Sequence, residues 1–422
     1  MSMKIGKRAR NVAIGSVAIT MMGIGSYATV PVYLVPISQM LKVSIGQVAL
    51  LFTFSSIASL SISFLLGTLL KKVKVRVLVP IAGLALALFF CSIYLANSIT
   101  TIYIGSVVFG LSTVIAGYGI AQTEITWWFA KGRASIMSFL NIGVGVFGLI
   151  LAPVVANAIG SFGVRNVALV QGISTGIGII LIGLFLLSEH PATYGMQPEG
   201  YEAPAASAQG VPAAEVKSLT VKQMTSTSSF WFIIVAVIFC GLALTGFTNN
   251  ASAFYQSIGL DAVRAALCIS IYNAVKLGWA PLYGVLVDKR GPGFATILCG
   301  TIGAVTFVAG TFLTGFVGAV IIAAFIGAIS FSSMLGAISF PRVFGTKEAG
   351  TLVGFSNAAS SIGAMLGAPI AGFIYDATGS YRQYLLIAAA LIVFCAVFTA
   401  AGTSKKAVEN INNKAKLKVS NV

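Results

Sequence analysis

Residues 269–292 read ISIYNAVKLGWAPLYGVLVDKRGP, an apolar stretch with one internal lysine, Lys276, and a charged loop at its end. Its length and composition are typical of a helix that crosses a lipid bilayer. With a rise of about 1.5 Å per residue, Lys276 lies about 18 Å before Asp288, which we take as the aqueous edge. A charge near the membrane midplane is costly unless it faces a cavity and has a partner. We therefore predict that Lys276 faces a cavity and binds an anion.

The composition of the whole chain also indicates a membrane protein. Of its 422 residues, 57% are apolar and 9% are charged, and the mean hydropathy is +0.96. A soluble protein of this size needs far more charge on its surface. The five cysteines lie in apolar stretches without paired spacing, and no ligand cluster surrounds the single histidine, His190. We expect no disulfide, no metal site and no cofactor.

Twelve apolar segments are long enough to span a bilayer, and stretches of this length satisfy their backbone groups in lipid only as helices. They are 12–36, 46–70, 77–96, 99–122, 134–158, 165–187, 229–252, 262–287, 294–314, 317–339, 349–374 and 383–402. The sequence therefore predicts an all-α membrane protein with twelve transmembrane helices.

The net charge of +16 is concentrated in short loops and tails. One alternating set of loops, together with both termini, holds 21 of the 26 lysines and arginines. The opposite set holds Lys42, Arg165, Arg264 and Arg382. This bias predicts that both termini are cytoplasmic in a multi-pass protein of the plasma membrane. Because the charge follows the topology, we do not expect nucleic acid as a partner.

The chain is predicted to consist of two helical bundles joined by a linker. Residues 188–228 are rich in Pro, Ala, Ser and Glu and contain no spanning segment, although their end is suited to a short surface helix. We predict a cytoplasmic linker there, between a six-helix bundle at 1–187 and a second at 229–422 that ends in a basic tail.

The two bundles are predicted to repeat one another. Gly67 and Gly83 recur as Gly284 and Gly300 at a separation of 217 residues. Several pairs farther along recur at a separation of 216, among them the Ala-Pro pairs at 152–153 and 368–369. Two parallel six-helix repeats place a solute site at their interface near the membrane midplane.

The charged loop after Lys276 resembles the loop signature of the major facilitator superfamily, Gly-x-x-x-Asp-(Arg/Lys)-x-Gly. Here it reads Gly284-Val-Leu-Val-Asp288-Lys-Arg290-Gly291. The resemblance implies the major facilitator fold of two six-helix bundles and a gating role for these four numbered residues. The carboxylate would cap a helix or pair with a basic residue, and the glycine would let helices approach. The copy in the first half departs from the signature, because lysines stand at positions 71 and 74.

Three patches resemble the branch of monocarboxylate transporters and oxalate:formate antiporters within that superfamily. They are Tyr118-Gly-Ile-Ala with Trp128-Phe and Arg133-Ala-Ser; Tyr33, Pro36 and Val43-Ser44; and PATYGMQPEG at 191–200. The resemblance implies a basic residue at the position of Ala280, and Lys276 lies one turn earlier on the same helical face. The second lysine implied for the oxalate type is replaced by serines at 360 and 361, so a monocarboxylate is favoured over oxalate.

Other polar residues inside the predicted spans are candidates for contact with the solute. They are Tyr118, Asn273, Tyr27, Asn249 and Asn250. Packing or interhelical hydrogen bonding is the alternative for each of them, and a snorkelling side chain is the alternative for Lys276. Glu124 is expected either to pair with Arg133 or Lys131 near the surface or to take part in proton coupling.

These features together predict a secondary active transporter of small organic anions such as lactate, pyruvate or formate, working by alternating access around Lys276. The partners would be the carboxylate substrate, the lipid bilayer and either a proton or a counter-anion, with uniport left open. Alternatives are an oxalate:formate-type exchanger and an exporter of drugs or other solutes. An enzyme or sensor would need a soluble domain or a catalytic cluster, so we expect no enzymatic activity. We expect a monomer.

Overall fold

The computed structural model describes residues 6–129, 133–199, 221–344 and 349–404, together with 407 and 409. Twelve helical segments in this part of the chain are long and apolar enough to cross a membrane, which confirms the predicted all-α membrane fold. The middle of the predicted linker and nearly all of the predicted basic tail lie outside the described residues.

Sixteen α-helices are found in the described residues, and most of the spans are single helices. In chain order they are α1 Lys7–Tyr27, α2 Val30–Leu41, α3 Ile45–Lys72, α4 Val75–Tyr94, α5 Ile99–Val114, α6 Ile120–Trp128, α7 Arg133–Phe162, α8 Val164–Phe185, α9 Val221–Thr225, α10 Ser228–Ser257, α11 Ala262–Arg290, α12 Pro292–Gly310, α13 Gly315–Ile326, α14 Leu335–Phe344, α15 Ala349–Thr378 and α16 Arg382–Gly402. The short α9 lies where the end of the linker was expected to form a surface helix.

Three spans that the sequence predicts as continuous are interrupted. The first span breaks between α1 and α2, just before Pro31, whose ring excludes the carbonyl four residues earlier. The fourth span passes from α5 to α6 through a π-helical segment, Ile115–Gly119, in which Gly117 has non-helical angles (φ −108°, ψ −138°). The tenth span passes from α13 to α14 through a 3-10 segment, Gly327–Ser333. Such departures within a helix are frequent at functional hinges.

Local signals in the sequence set several helix ends. The Ser44 hydroxyl accepts a hydrogen bond from the Gln47 amide at 3.2 Å, and the Gln47 side chain accepts one from the Ser44 amide at 3.1 Å. This reciprocal capping starts α3. Gly291, between α11 and α12, has φ of +87°, a conformation that other residues rarely adopt, and Pro292 follows in the first turn of α12.

The described helices fall into two compact units. The first unit comprises residues 1–208 with 251–256 and 261–274. In it α4 packs on α8 and α5, α3 packs on α5, and α1 packs on α6, α7 and α8. Small residues allow the closest of these contacts: a methyl group placed on Gly83 would lie 2.8 Å from the carbonyl oxygen of Gly176.

The second unit comprises residues 209–250, 257–260 and 275–422. In it α12 packs on α16 and α13, α14 packs on α15, and α15 also contacts α16. Glycines again mark close approach, because methyl groups on Gly363 and Gly367 would lie 2.7 and 2.6 Å from backbone oxygens of α10. The stretches 251–256 and 261–274, which belong to the predicted second half, cluster with the first unit, and the six-plus-six division stays a prediction.

Candidate solute-binding site

Lys276 is the central residue of the 29-residue helix α11. Its side chain is half-buried. It is also the one basic residue that lies more than two turns from the end of any span in the described part of the chain. The depth expected from the sequence therefore agrees with the bounds of the helix.

The indole ring of Trp279 holds α11 against the interrupted tenth span. Its Nε1–H donates to the carbonyl oxygen of Ala324 at 3.0 Å. This carbonyl lies in the last turn of α13, where the change to a 3-10 segment leaves backbone oxygens without their usual partner four residues later. Gly327 makes the approach possible, since a methyl group there would lie 2.7 Å from Trp279 Cδ1 and 3.6 Å from the backbone nitrogen of Lys276.

The second half of α11 has further contacts with the tenth span and with α12. The ring of Tyr283 is fully buried and stacks on Phe331 with centroids 5.0 Å apart. Its hydroxyl hydrogen-bonds to that of Thr296 at 2.9 Å. One turn later, Arg342 donates to the backbone oxygen of Val287 at 3.0 Å. The segment that carries Lys276 is thus held by an aromatic stack and two side-chain-to-backbone hydrogen bonds.

The first half of α11 contacts α7 in the first unit. Asn273 is buried, with 7% of its surface exposed, and its Nδ2 would lie 3.4 Å from a methyl group on Gly148. One turn earlier, the hydroxyl of Ser270 donates to the carbonyl oxygen of Leu149 at 2.7 Å. Asn273 and Lys276 are three residues apart on one helix, so their side chains lie on the same face.

Two predicted tyrosines lie in the first unit near the interruption of the fourth span. Tyr118 is part of the π-helical segment, and its hydroxyl donates to Asn141 Oδ1 on α7 at 2.9 Å. Tyr27 is the last residue of α1 and is stacked on Phe109 with centroids 5.6 Å apart. Both side chains are half-buried.

The two predicted asparagines of α10 are both buried. The amide nitrogen of Asn250 donates to the backbone oxygens of Gly246 and Ala368 at 3.0 and 2.9 Å, and its oxygen accepts from the Tyr381 hydroxyl at 3.4 Å. These hydrogen bonds join α10 to α15, so the amide of Asn250 has a role in helix packing. Asn249 has 5% of its surface exposed.

The predicted gating residues lie at the end of α11. Asp288 is exposed and forms no ion pair with a described residue. Arg290 lies over the ring of Phe294 at 4.8 Å, and Gly291 takes the positive φ described above. A methyl group on Gly284 would meet no described atom within 4 Å, so the close helix approach that the signature implies is not made there.

Glu124 lies one turn before the end of α6 and is fully buried. Neither carboxylate oxygen has a hydrogen-bond partner among the described residues. Of the two partners expected from the sequence, Lys131 and the side chain of Arg133 lie outside the described part of the chain.

Sequence reasoning missed several residues that the structure brings together. Trp279 and Gly327 are distant in sequence, and only the spacing of Trp279 from Lys276 could have drawn attention to it. A buried network was also missed: Tyr33 donates to Gln171 Oε1 at 2.6 Å, and Gln171 Nε2 donates to Thr29 at 2.7 Å. A glutamine inside a predicted span was the available signal, because a buried amide needs partners.

A cavity of about 610 Å³ opens where α2, α4, α7 and α8 end or begin. Its lining includes Tyr94, Asn97, Arg165 and Asn166, and none of the predicted solute-binding residues contributes to it. Arg165 is already bonded to the carbonyl of Ala96 at 2.8 Å. We therefore do not place the transport site there.

The chain is similar to two known transporters over a large part of its length. The oxalate:formate antiporter of Oxalobacter formigenes is 25% identical over 262 residues, which cover 61% of this chain and 58% of the antiporter. The uncharacterized transporter YhjX of Escherichia coli is 24% identical over 327 residues, 74% of this chain and 77% of YhjX. The chain thus spans little more than half the length of the antiporter.

Solved transporter structures share the fold. A bacterial homologue of the human lysosomal transporter Spinster, in an inward-facing and occupied conformation, aligns over 95% of this chain and 99% of its own, with a TM-score of 0.74 and 16% identity. The nucleoside transporter NupG aligns over 94% and 100%, with a TM-score of 0.69 and 12% identity. At these identities the likeness concerns the fold alone.

The sequence profile of the Major Facilitator Superfamily matches residues 15–341 and 280–420, which is nearly the whole chain. The twelve apolar helices described above agree with this match. This protein therefore belongs to the Major Facilitator Superfamily.

Proposed function

We propose that this protein is a secondary transporter and not an enzyme, that it moves small monocarboxylates of the lactate, pyruvate and formate class, and that Lys276 binds the carboxylate. The observation that carries the proposal is the position of Lys276 at the centre of α11. A charged side chain near the midplane of a bilayer is costly, and it typically faces a cavity and marks the path of a solute or ion. A half-buried ammonium group at this depth can bind a small anion.

The chemistry of an ammonium group suits this role. It offers three donors on a flexible stem, and a hydrogen bond between two charged groups is about twice as strong as a neutral one. A single lysine matches one carboxylate, which favours a monocarboxylate over a dicarboxylate. The contact from Trp279 to Ala324 fixes the helix one turn away and thereby limits where the ammonium can reach.

Three other side chains are proposed to contact the solute. Asn273 shares the helical face of Lys276, while Tyr118 and Tyr27 are half-buried beside the break in the fourth span. The Tyr118 hydroxyl already donates to Asn141, and a carboxylate only accepts hydrogen bonds, so this hydroxyl would exchange its bond to Asn141 for one to the solute. Asn249 remains a candidate of the same kind, whereas the amide of Asn250 is used to join α10 to α15.

Alternating access provides the mechanism. The two repeats would rock about the site while the bound anion neutralises Lys276, which lowers the cost of carrying a charge through the occluded state. The residues Gly284, Asp288, Arg290 and Gly291 would act at the gate. We further propose a monomer in the plasma membrane with both termini in the cytoplasm, and the positive-inside bias supports this orientation of the termini.

Anion exchange is the second candidate. The similarity to an oxalate:formate antiporter favours exchange. Exchange of one anion for another at a single cation also needs no separate group to bind a coupling ion. Uptake that depends on an anion loaded inside the vesicle would distinguish exchange from symport.

The test is uptake of labelled formate, lactate, pyruvate and oxalate into proteoliposomes. We expect Lys276→Gln to reduce carboxylate uptake at least a hundredfold, because the variant loses the charge that binds the anion. Lys42→Gln removes the same charge from an exposed loop and is the matched control. A ligand that binds only the folded state raises the melting temperature, so the same carboxylates should stabilise the wild type and not Lys276→Gln. Undiminished uptake by a folded Lys276→Gln variant would reject the proposal.

A further inference from the structure

The chain after α8 turns back across the end of the first unit that is predicted to be cytoplasmic. We call residues 187–199 the strap. Its far end is fixed at two points: the amide of Glu199 donates to the carbonyl oxygen of Trp128 at 2.7 Å, and its carboxylate accepts from the amide of Gly6 at 2.9 Å. In between, the guanidinium of Arg8 lies 4.4 Å from the ring of Tyr194. The strap therefore joins the beginning of α1 to the end of α6.

The near end of the strap is fixed to the first turn of α4. The carboxylate of Glu189 accepts hydrogen bonds from the backbone amides of Val75 and Arg76 at 3.3 and 3.4 Å. The side chain of Arg76 in turn donates to the carbonyl oxygen of Leu187 at 3.1 Å. These three hydrogen bonds fix the strap to the amino end of α4.

The end of α6 that the strap covers contains buried polar atoms without partners. Glu124 is 0% exposed, and neither of its carboxylate oxygens has a hydrogen-bond partner among the described residues. Four residues later, on the same face of the helix, Trp128 is 1% exposed and its Nε1 is likewise without a partner in the described part of the chain. Buried polar groups are normally satisfied, so an acid left in this state points to a function.

The charged groups that act on Glu124 come from the strap and from α4. They are Glu189 and Arg76, with the backbone of Ser188 also directed at the carboxyl outside ordinary hydrogen-bond geometry. Two further side chains near the strap have ring contacts of their own. Arg8 of α1 lies over the ring of Tyr194, and the ring of His190 packs against Trp127 with centroids 5.3 Å apart. The side chain of Arg133, at the start of α7, lies outside the described residues.

The burial of Glu124, without a hydrogen-bond partner for its carboxylate oxygens among the described residues, favours a neutral carboxyl beneath the strap. An ionised carboxylate away from water needs hydrogen bonds or a paired cation, and like charges that face each other do not both remain ionised. Glu189 has two backbone donors and a helix end to hold its charge, whereas Glu124 has no such donors among the described residues. Of the two acids, Glu124 is the one that takes up a proton.

We propose that Glu124 is a proton-binding site and that the strap controls its access to water, so that the proton leaves when the strap lifts. The proton is then the coupling ion of the transporter. The coupling to a substrate rests on the proposed function, whereas the proton site itself stands on the geometry of the strap and can be tested without any substrate.

The substrate-free test is infrared spectroscopy of the purified full-length protein as the pH is raised. We expect a carbonyl band of a protonated carboxyl at neutral pH that is absent in Glu124→Gln, and that is unchanged in the control Glu409→Gln, whose side chain is exposed. A wild type without the band, or a folded Glu124→Gln variant that keeps all of it, would overturn the proposal. Arg8→Gln, which weakens the strap without touching Glu124, provides a second variant and should lose the band at lower pH.

The coupling is tested with labelled formate in proteoliposomes. Glu124→Gln should retain exchange of formate for formate and lose the stimulation of net uptake by an inward proton gradient. Equal stimulation in this variant and the wild type would overturn the coupling. If the wild type carries no formate, pyruvate or lactate at all, the monocarboxylate assignment fails, while the infrared result still decides the proton site.

Discussion

The fourth and tenth spans are broken at nearly the same level of the repeat but in opposite ways. At a separation of 216 residues, the π-helical segment Ile115–Gly119 corresponds to 331–335, which overlaps the 3-10 segment Gly327–Ser333. A π-helical turn is wider than an α-helical turn, and a 3-10 turn is tighter. At the spacing predicted for the repeat, an interruption therefore occurs in both spans, but its helical geometry differs.

The two breaks also differ in what packs against them. In the first unit, α1 lies directly on the backbone of the break, and a methyl group on Gly23 would overlap the carbonyl group of Ala116. In the second unit, the break is held by the side chain of Trp279, for which the first half has Ile62 at the corresponding position. A backbone contact leaves no room for adjustment, whereas an indole ring can rotate. We infer that the tenth span is the more adjustable of the two.

The contact at Gly23 should be the least tolerant of change. Gly23→Val would force α1 away from Ala116, and overpacking against backbone costs about 1–3 kcal/mol. We expect a lower melting temperature and loss of transport. Gly160→Val, at a position with no described atom within 4 Å, is the control and should leave both unchanged. A fully stable and active Gly23→Val variant would show that the first break is no more rigid than the second.

A substitution at Gly327 should have an intermediate effect on uptake, and a second substitution at Trp279 should partly reverse that effect. Gly327→Ala places a methyl group 2.7 Å from Trp279 Cδ1, so the indole must turn and Lys276 must shift with its helix. We expect about a tenfold loss in uptake efficiency, equivalent to about 1.4 kcal/mol. Adding Trp279→Leu removes the clash and should restore part of the activity. If the second change restores no activity, the effect of Gly327→Ala does not arise from its contact with Trp279.

The smallest effect is expected at Tyr118, beside the first break. Tyr118→Phe removes one hydrogen bond, to Asn141 at 2.9 Å, and a bond of this kind contributes about 1 kcal/mol. If the hydroxyl also contacts the carboxylate, the apparent affinity for formate should fall about fivefold while the melting temperature changes little. An unaltered affinity with a lowered melting temperature would assign Tyr118 to packing alone.

The sequence predicts the spans well because membrane-spanning length and hydropathy are local properties. All twelve helices were expected, and Lys276 could be placed at the middle of its span by counting residues from Asp288. The break before Pro31 has a local signal in the proline itself. In contrast, no proline lies in Ile115–Gly119 or in Gly327–Ser333, and their composition is like that of the continuous helices. The sequence alone therefore does not predict where those two breaks occur.

The candidate site was predicted only in part, for a similar reason. A cation at the midplane is visible in the sequence, but the indole that fixes its helix bonds to Ala324, which is 45 residues away. The burial of Glu124 depends on a strap that folds back from residues more than sixty positions later. Long-range contacts of this kind leave no periodic pattern for sequence reasoning to detect.

The hydrogen-bonded chain from Tyr33 through Gln171 to Thr29 has a mechanical consequence. It joins α2, the second segment of the first span, to α8, and each of its three side chains has a hydrogen-bond partner. The Thr29 hydroxyl also donates to the carbonyl oxygen of Ser26 at 2.7 Å, so the same chain reaches the last turn of α1. Both segments of the first span are therefore anchored to α8 at the point where they meet.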